Sequence, residues 1–227
     1  MRFSESVLEE ASLAWLVDVG WRGLLGPAQA ANARGAERSD TGYQDVPLER
    51  RLRQTLKRLN PDLSREALDD AHRRLRRVDT GILVERNRGA HRMLVDGVTV
   101  EYRRPDGSIG GAQARVIDFD EPGNNDWLAV NQFTVVEGQH EQRPDVVVFV
   151  NGLPLAVLEL KNPADEEATV WTAWKQLQTY QAQIPEVLTH SVCTIAVEAV
   201  PTGDWVVKTG KERLDQDSDS EAMREAS

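Results

Sequence analysis

The sequence predicts an α/β fold in which a mixed central β-sheet is flanked by helices. Three observations lead there. Apolar residues recur at helical spacing near both ends of the chain, around residues 5–19 and 165–183. Between them lie short runs rich in Val, Ile and Leu, separated by turns containing Gly, Pro and Asn. Two of those runs, 146–150 and 155–160, are apolar at nearly every position, as strands are when layers cover both faces of a sheet.

Taken in order, residues 5–19 form a helix that buries Leu8, Ala11, Trp15, Leu16 and Val19, with Glu9 at the edge of that stripe. Residues 23–43 are rich in Gly, Ala and polar side chains and read as loop. Two helices follow at 46–59 and 64–77, separated by Asn60-Pro61. Strands are expected at 95–102, 114–119 and 133–136, broken at Pro105-Asp106-Gly107 and at Pro122-Gly123-Asn124-Asn125. Next comes a hairpin, 146–160, around Asn151-Gly152. Asn162, Pro163 and Asp165 signal a helix start. In that helix Trp171, Trp174, Leu177 and Ile184 mark the apolar stripe. Residues 191–197 make a last strand. The domain is expected to span 1–200, and 201–227 to be a polar, acidic, disordered tail.

The hairpin carries the chemistry. RPDVVVFVNGLPLAVLELK, residues 143–161, places Asp145 before one strand and Glu159 and Lys161 at the end of the next. Register decides whether the carboxylates meet. A strict two-residue loop pairs Val150 with Leu153 and sets Asp145 opposite Leu158, which sends Glu159 to the other face. A three-residue loop pairs Phe149 with Leu153, so that Asp145, Val157, Glu159 and Lys161 share a face with Glu159 diagonal to Asp145. The second arrangement is the expectation: a hairpin bulged in or near its turn. Asp145 and Glu159, with the Leu160 carbonyl as a third oxygen, would then suit Mg²⁺, which takes one or two carboxylates and keeps waters and substrate phosphate. Lys161, two residues from Glu159, could orient an attacking water and meet developing charge. An ordinary buried hairpin whose polar ends reach solvent fits the spacing equally well.

Further motifs in a fixed order extend beyond the hairpin. They are SESVLEEASLAWLVDVGW (4–21), RLRQTLKRLNPDL (51–63), NRGAHRMLVDGVTVEY (87–102), VIDFDEPGNNDWLAVNQFTV (116–135) and AWKQLQTYQAQIPEVL (173–188). Over roughly residues 1–190 the chain resembles the amino-terminal part of the restriction (R) subunit of type I restriction-modification enzymes. The resemblance implies a nuclease domain of the PD-(D/E)xK type, related to RecB-like nucleases, that cuts double-stranded DNA with Mg²⁺ or a substitute Mn²⁺. It adds Gln176 and Tyr180 as a Gln-x-x-x-Tyr pair on one helix face. It also adds Glu9, with Glu5 and Glu10 as rivals, as an acidic helix position near the metal or its water. It implies modification and specificity subunits as partners, and an ATP-driven, helicase-like motor that follows this domain. After His190 the family pattern is followed poorly. Lys208-Thr-Gly-Lys211 lacks a phosphate-binding loop's glycine at 205, where Trp205 stands, and its Ser/Thr at 212, where Glu212 stands. ATP hydrolysis is therefore not expected of this chain. The alternatives are a non-catalytic assembly remnant of an R subunit and a stand-alone RecB-like repair nuclease.

Composition bounds the rest. The net charge of −10 argues against a DNA partner until its distribution is considered. Between residues 45 and 104 there are 15 Lys or Arg against 10 Asp or Glu, including Arg50, Arg51, Arg53, Lys57, Arg58 and Arg73, Arg74, Arg76, Arg77. Arg86, Arg88, Arg92, Arg103 and Arg104 follow. These clusters could neutralise phosphates or form solvated, salt-bridged helices. The single cysteine, Cys193, excludes an intrachain disulfide framework and reads as a small buried residue. No apolar run approaches the ~20 residues of a membrane span, and no signal peptide is read, so a soluble cytoplasmic protein is expected. The four histidines lack metal-ligand spacing, and His140 reads as a solvated loop residue.

Overall fold

A six-stranded sheet organises the computed structural model, which describes residues 5–26, 37–38, 42–78, 81–103, 107–161, 169–199 and 205–210. The elements run α1 (Glu5–Asp18), β1 (Arg22–Leu25), α2 (Glu49–Leu59), α3 (Arg65–Arg76), α4 (Leu83–Asp96), β2 (Val98–Arg103) and β3 (Ile109–Ala114). They continue with β4 (Trp127–Asn131), β5 (Val135–Glu137), β6 (His140–Gln142), β7 (Val146–Val150), β8 (Leu153–Lys161), α5 (Val170–Gln183), β9 (Cys193–Ala199) and β10 (Trp205–Gly210). Strand order is β1-β4-β7-β8-β9-β10, with β1/β4 and β8/β9 parallel and the other neighbours antiparallel. The expected α/β architecture, a mixed sheet flanked by helices, is what forms.

Alternation along β7 explains why every residue in it is apolar. Val146 and Val148 pack with Leu8 and Leu13 of α1 on one face, while Val147 and Phe149 pack with Ala173, Leu177 and Tyr180 of α5 on the other. Each such side chain, fully buried, contributes about 1.5–3 kcal/mol. A third cluster closes the turn end of the hairpin. Leu52 and Leu56 of α2, Ala71 and Leu75 of α3, Leu94 of α4 and Val98 and Val100 of β2 pack there with Val150, Leu153 and Leu155.

The hairpin turn is built into this third layer. Asn151 (φ 56°) and Gly152 (φ 85°) both have the positive φ that a two-residue type I′ turn requires. Asn151 is fully buried, and both ends of its side-chain amide and its backbone amide are hydrogen-bonded. Its side-chain amide donates to the Val116 carbonyl and to Asn125 Oδ1, both at 2.8 Å, and its Oδ1 accepts from the Asp126 amide at 2.8 Å. Its backbone amide donates to the Asp126 carbonyl. The Gly152 carbonyl accepts from the Leu48 amide at 2.8 Å, at the entrance to α2.

Register then shifts once. Val150 pairs with Leu153 and Phe149 with Pro154, but Val148 pairs with Ala156, so Leu155 is an extra residue on β8. Pro154, which has no amide to give the ladder, sits beside this irregularity. The Leu155 carbonyl is taken up by the Val192 amide at 2.8 Å. The expectation of a bulge is met, but by a different route: the turn keeps two residues and the bulge lies in β8.

Other elements depart from the sequence reading. Arg22–Leu25 is a strand, although residues from 23 on read as loop. Residues 95 and 96 end α4, a helix the sequence reading left out, and β2 begins at Val98. The strand expected at 114–119 lies earlier, at Ile109–Ala114, and β4 forms where the reading had a turn leading into 133–136. On α1 the buried side is Leu8, Glu9, Ser12 and Leu13, whereas Trp15 is 50 % and Val19 71 % exposed. The last strand is β10, which pairs with β9, so the boundary expected at 200 falls inside the sheet; residues 211–227 lie outside the described residues. The proposed helix-start signals at 162, 163 and 165 also lie outside them, and α5 begins at Val170. Among the described residues, no helix is long and apolar enough to cross a membrane.

A Cβ on Gly152 would fall 2.8 Å from both the Leu48 carbonyl oxygen and the Leu52 amide nitrogen. Gly152→Ala should therefore cost at least ~2 kcal/mol in urea unfolding, from backbone strain and displacement of α2. Gly123→Ala, with nothing within 4 Å, should change stability by less than ~0.5 kcal/mol.

Candidate active site

Past the bulge, Val147 pairs with Val157 and Val146 with Leu158. Continued by one residue, that register sets Asp145 directly opposite Glu159, closer than the diagonal arrangement expected. Both then share the α5 face of the sheet with Lys161. Glu159 is 3 % exposed, and Asp145 is half-buried just outside β7.

Each carboxylate oxygen with a described partner is held in a defined way. Glu159 Oε1 accepts from Lys161 Nζ at 2.9 Å, and Oε2 accepts from the Tyr180 hydroxyl at 2.8 Å. Asp145 Oδ2 accepts from the Leu160 amide at 2.7 Å. An extended residue points its amide and carbonyl to the same side, so the Leu160 carbonyl also faces the β7 edge where Asp145 sits. Gln176, one turn before Tyr180 on α5, hydrogen-bonds to the tyrosine and donates to Gln142 Oε1 of β6 at 3.4 Å. Gln142 in turn donates to Gln183 Oε1 at 2.6 Å. The apolar stripe of α5 is Ala173, Leu177, Tyr180 and Ile184; Trp174 is partly buried and Trp171 is exposed.

Glu9 arrives from the other side of the sheet. It is 6 % exposed, and its two oxygens accept from Gln132 Nε2 at 2.8 Å and Asn131 Nδ2 at 3.0 Å. Its charge opposes ionisation of Asp145, as does that of Glu159. The structure thus brings together Asp145, Glu159, Lys161, Tyr180 and Gln176, with Glu9 beside Asp145. Glu10 is exposed, and the side chain of Glu5 lies outside the described residues.

Electrostatics follow from this crowding. Burial, and next the charge of Glu159, push the Asp145 carboxyl up to about 7, against the pull of the Leu160 amide and Lys161. Burial and Glu159 also push the Tyr180 hydroxyl above its ordinary range, so it remains a proton donor to Glu159. Strong perturbation of an acid in contact with a second acid is a mark of functional sites.

Other expectations find their places away from this cluster. Arg51, 5 % exposed at its side chain, pairs with Glu37 at 2.6 Å and Asp126 at 2.5 Å. Arg53 pairs with Glu49 and Asp69, Arg73 and Arg74 with Asp70, Arg76 with Asp45, and Arg86 with Glu186. Much of the basic excess is therefore spent on intramolecular ion pairs. Its helices α2 and α3 adjoin the turn end of the hairpin, ~20 Å along β7 from the carboxylates. His140 is exposed, as expected, and Cys193 is half-buried rather than buried. Residues 208–210 lie in strand β10, a setting unlike a phosphate-binding loop opening a helix.

Comparison with known proteins identifies the lineage. The profile of the family described as Type I restriction enzyme R protein N terminus matches residues 2–197. The chain belongs to that family. It is 34 % identical, over 87 % of its own length, to the type I restriction enzyme HindI endonuclease subunit of Haemophilus influenzae, and covers 18 % of that protein. It is 26 % identical, over 96 % of its length, to a Methanocaldococcus jannaschii protein assigned as the endonuclease subunit of type I restriction enzyme MjaIXP, and covers 21 % of it. The chain thus spans about a fifth of the length of the curated relatives it matches. Within the R-protein N-terminal match lie all six residues of the cluster, whereas β10 lies beyond it.

Sequence reading missed Asn131, Gln132 and Gln142, the amides that hold Glu9 and Gln176. No spacing rule joins residue 9 to residues 131 and 132; only the packing of α1 over the end of β4 does. Their one local signal is the side-by-side amide pair at the end of an apolar run.

Between the ordinary Asp value of 3.8 and about 7, the folded protein holds a proton on Asp145 that the unfolded chain has released. Without added metal, stability should fall as pH rises through that window. Asp145→Asn should flatten this slope between pH 4 and 7 and melt higher than the wild type at pH 7.5. Thermal melts across that pH range check both.

Proposed function

We propose that this chain is the nuclease domain of a type I restriction enzyme R subunit, hydrolysing phosphodiester bonds of double-stranded DNA with Mg²⁺. The observation that carries the reading is the β7/β8 register, which continued by one residue sets Asp145 opposite Glu159 on one sheet face, with Lys161 on the same face and bonded to Glu159. A proline-aspartate, a spaced glutamate and a lysine two residues later form the PD-(D/E)xK pattern.

The residues fit a hard cation. The donors are oxygens, and burial together with repulsion from Glu159 raises the Asp145 carboxyl, a cost that a divalent ion between the two acids would relieve. Among the described residues no three His, Cys, Asp or Glu side chains form a ready-made ligand group. Mg²⁺ does not need one, since it retains waters and binds substrate phosphate. Asp145, Glu159 and the Leu160 carbonyl would hold it, with Glu9 alongside, and Mn²⁺ would substitute. Bound there, the ion supplies positive charge to the phosphate oxygens and to the attacking water.

The protein's own groups divide the remaining work. Lys161 orients water beside Glu159 and offers a proton donor to charge that develops on the phosphate. Tyr180 fixes the second oxygen of Glu159, so the carboxylate cannot rotate away from Asp145. Gln176 steadies Tyr180 and faces the same site. In this reading the chain works in the cytoplasm with a motor that consumes ATP elsewhere in the R subunit, and with modification and specificity subunits. The intact, mutually bonded cluster favours a competent nuclease over a non-catalytic remnant, and the family match favours a restriction subunit over a stand-alone repair enzyme.

Purified protein incubated with plasmid DNA and Mg²⁺ or Mn²⁺ should nick or cut it. Asp145→Ala and Lys161→Ala should each lower the rate by at least ~10²-fold, and chelation of the metal should abolish it. Cutting that survives both substitutions overturns the assignment. Tyr180→Phe, which removes only the hydroxyl bonded to Glu159, should retain the fold and lose roughly 10-fold in rate.

A further inference from the structure

At the end of β4 two consecutive amide side chains turn toward one buried carboxylate. Asn131, itself buried, donates to Glu9 Oε2, and Gln132 donates to Oε1. Consecutive residues in a regular strand point to opposite faces, so both cannot reach one target without a break in the backbone. The break is at Gln132, whose φ of 50° places a non-glycine residue in the left-handed region. Such a conformation costs free energy and persists only where its surroundings enforce it.

Those surroundings are visible. Gly26, just after β1, donates its amide to Asn131 Oδ1 at 3.2 Å. A Cβ on Gly26 would lie 2.2 Å from the Gln132 carbonyl oxygen and 2.3 Å from that of Asn131, so this backbone is gripped at close range. On its other side the Gln132 amide donates to the Asp145 carbonyl at 2.9 Å. One strained residue therefore holds Glu9 by its side chain and Asp145 by its backbone. A carboxylate this buried, next to a second acid, is expensive to keep in place. A leucine on α1 would fill the same space without that cost.

We infer that Asn131 and Gln132 are positioning residues, which aim Glu9 at the metal and water sphere of Asp145 and so make a residue of α1 part of a centre otherwise built on β7 and β8. This rests on the metal-site reading of Asp145 and Glu159. The arrangement is that of an outer-sphere support, in which fixing a carboxylate changes metal affinity without contact to the ion.

Stability and function make opposite demands at Gln132, which gives a clean test. Gln132→Gly relieves the left-handed strain and removes the hydrogen bond to Glu9. Mn²⁺ affinity of the full 227-residue chain would be measured by titration calorimetry at pH 8, together with melting temperature. The proteins are wild type, Gln132→Gly, Glu9→Ala, the double variant and Asp145→Asn. The expected result is about tenfold weaker Mn²⁺ binding in Gln132→Gly with a melting temperature equal to or above wild type, and no further weakening when it is added to Glu9→Ala. Affinity within twofold of wild type in Gln132→Gly, or an undiminished further loss in the double variant, overturns the inference. Asp145→Asn separates the two readings: if it leaves Mn²⁺ binding intact, the metal site itself is wrong. If it weakens binding while Gln132→Gly does not, only the positioning role falls.

Discussion

One extra residue in β8 determines what this domain can do. The Asn151-Gly152 turn is fixed by its bonds to the 116–126 segment and to the entrance of α2, so the hairpin cannot slide. From a fixed two-residue turn, a regular ladder would send Asp145 and Glu159 to opposite faces. Because side chains alternate with a period of two, adding Leu155 to one strand reverses that parity for everything beyond it. The carboxylates and Lys161 then share a face. The bulge is held by its own partners, since the Leu155 carbonyl bonds to the Val192 amide at the start of β9.

The two ends of the sheet spend charge in different ways. At the turn end, arginines of α2 and α3 neutralise acids within the chain, and Arg51 joins Glu37 and Asp126 under nearly complete burial. At the other end Glu9 and Glu159 both lie close enough to Asp145 to oppose its ionisation, and Lys161 bonds to Glu159. Acids predominate among the site residues at that end. That imbalance singles out one end of the sheet, and it is consistent with the membership of a restriction R-protein family that the sequence match establishes.

Helices on both faces converge on the same point. α5 delivers Tyr180 and Gln176 from one side, and α1 delivers Glu9 from the other. The helices are ordinary in their packing, with Leu8 and Leu13 on α1 and Ala173 and Leu177 on α5 making the apolar contacts. What differs is that each spends one or two positions of its buried stripe on a polar group. Those positions read as exceptions in the sequence because a buried carboxylate or amide has value only through a partner that the helix itself does not contain.

The sequence by itself determined the hairpin, the Asn-Gly turn, the sandwiching of β7 and β8 between layers, and the identity of Asp145, Glu159 and Lys161 as the polar ends of otherwise apolar strands. These are local matters of propensity and alternation. It also carried Gln176 and Tyr180 through their spacing of four, although their relevance came from family resemblance. It misjudged α1, where helical periodicity favoured Trp15 and Val19 as buried, because periodicity gives a stripe but not which neighbour the stripe will meet. It left out α4, β1 and β4, short or compositionally mixed elements whose formation depends on a sheet assembled from distant segments. Only the tertiary structure decided the position of the bulge, the face shared by Asp145 and Glu159, and the capture of Glu9 by Asn131 and Gln132. Each is a contact between residues far apart in the chain or a parity set by one unpaired residue, and no local preference of the chain encodes either.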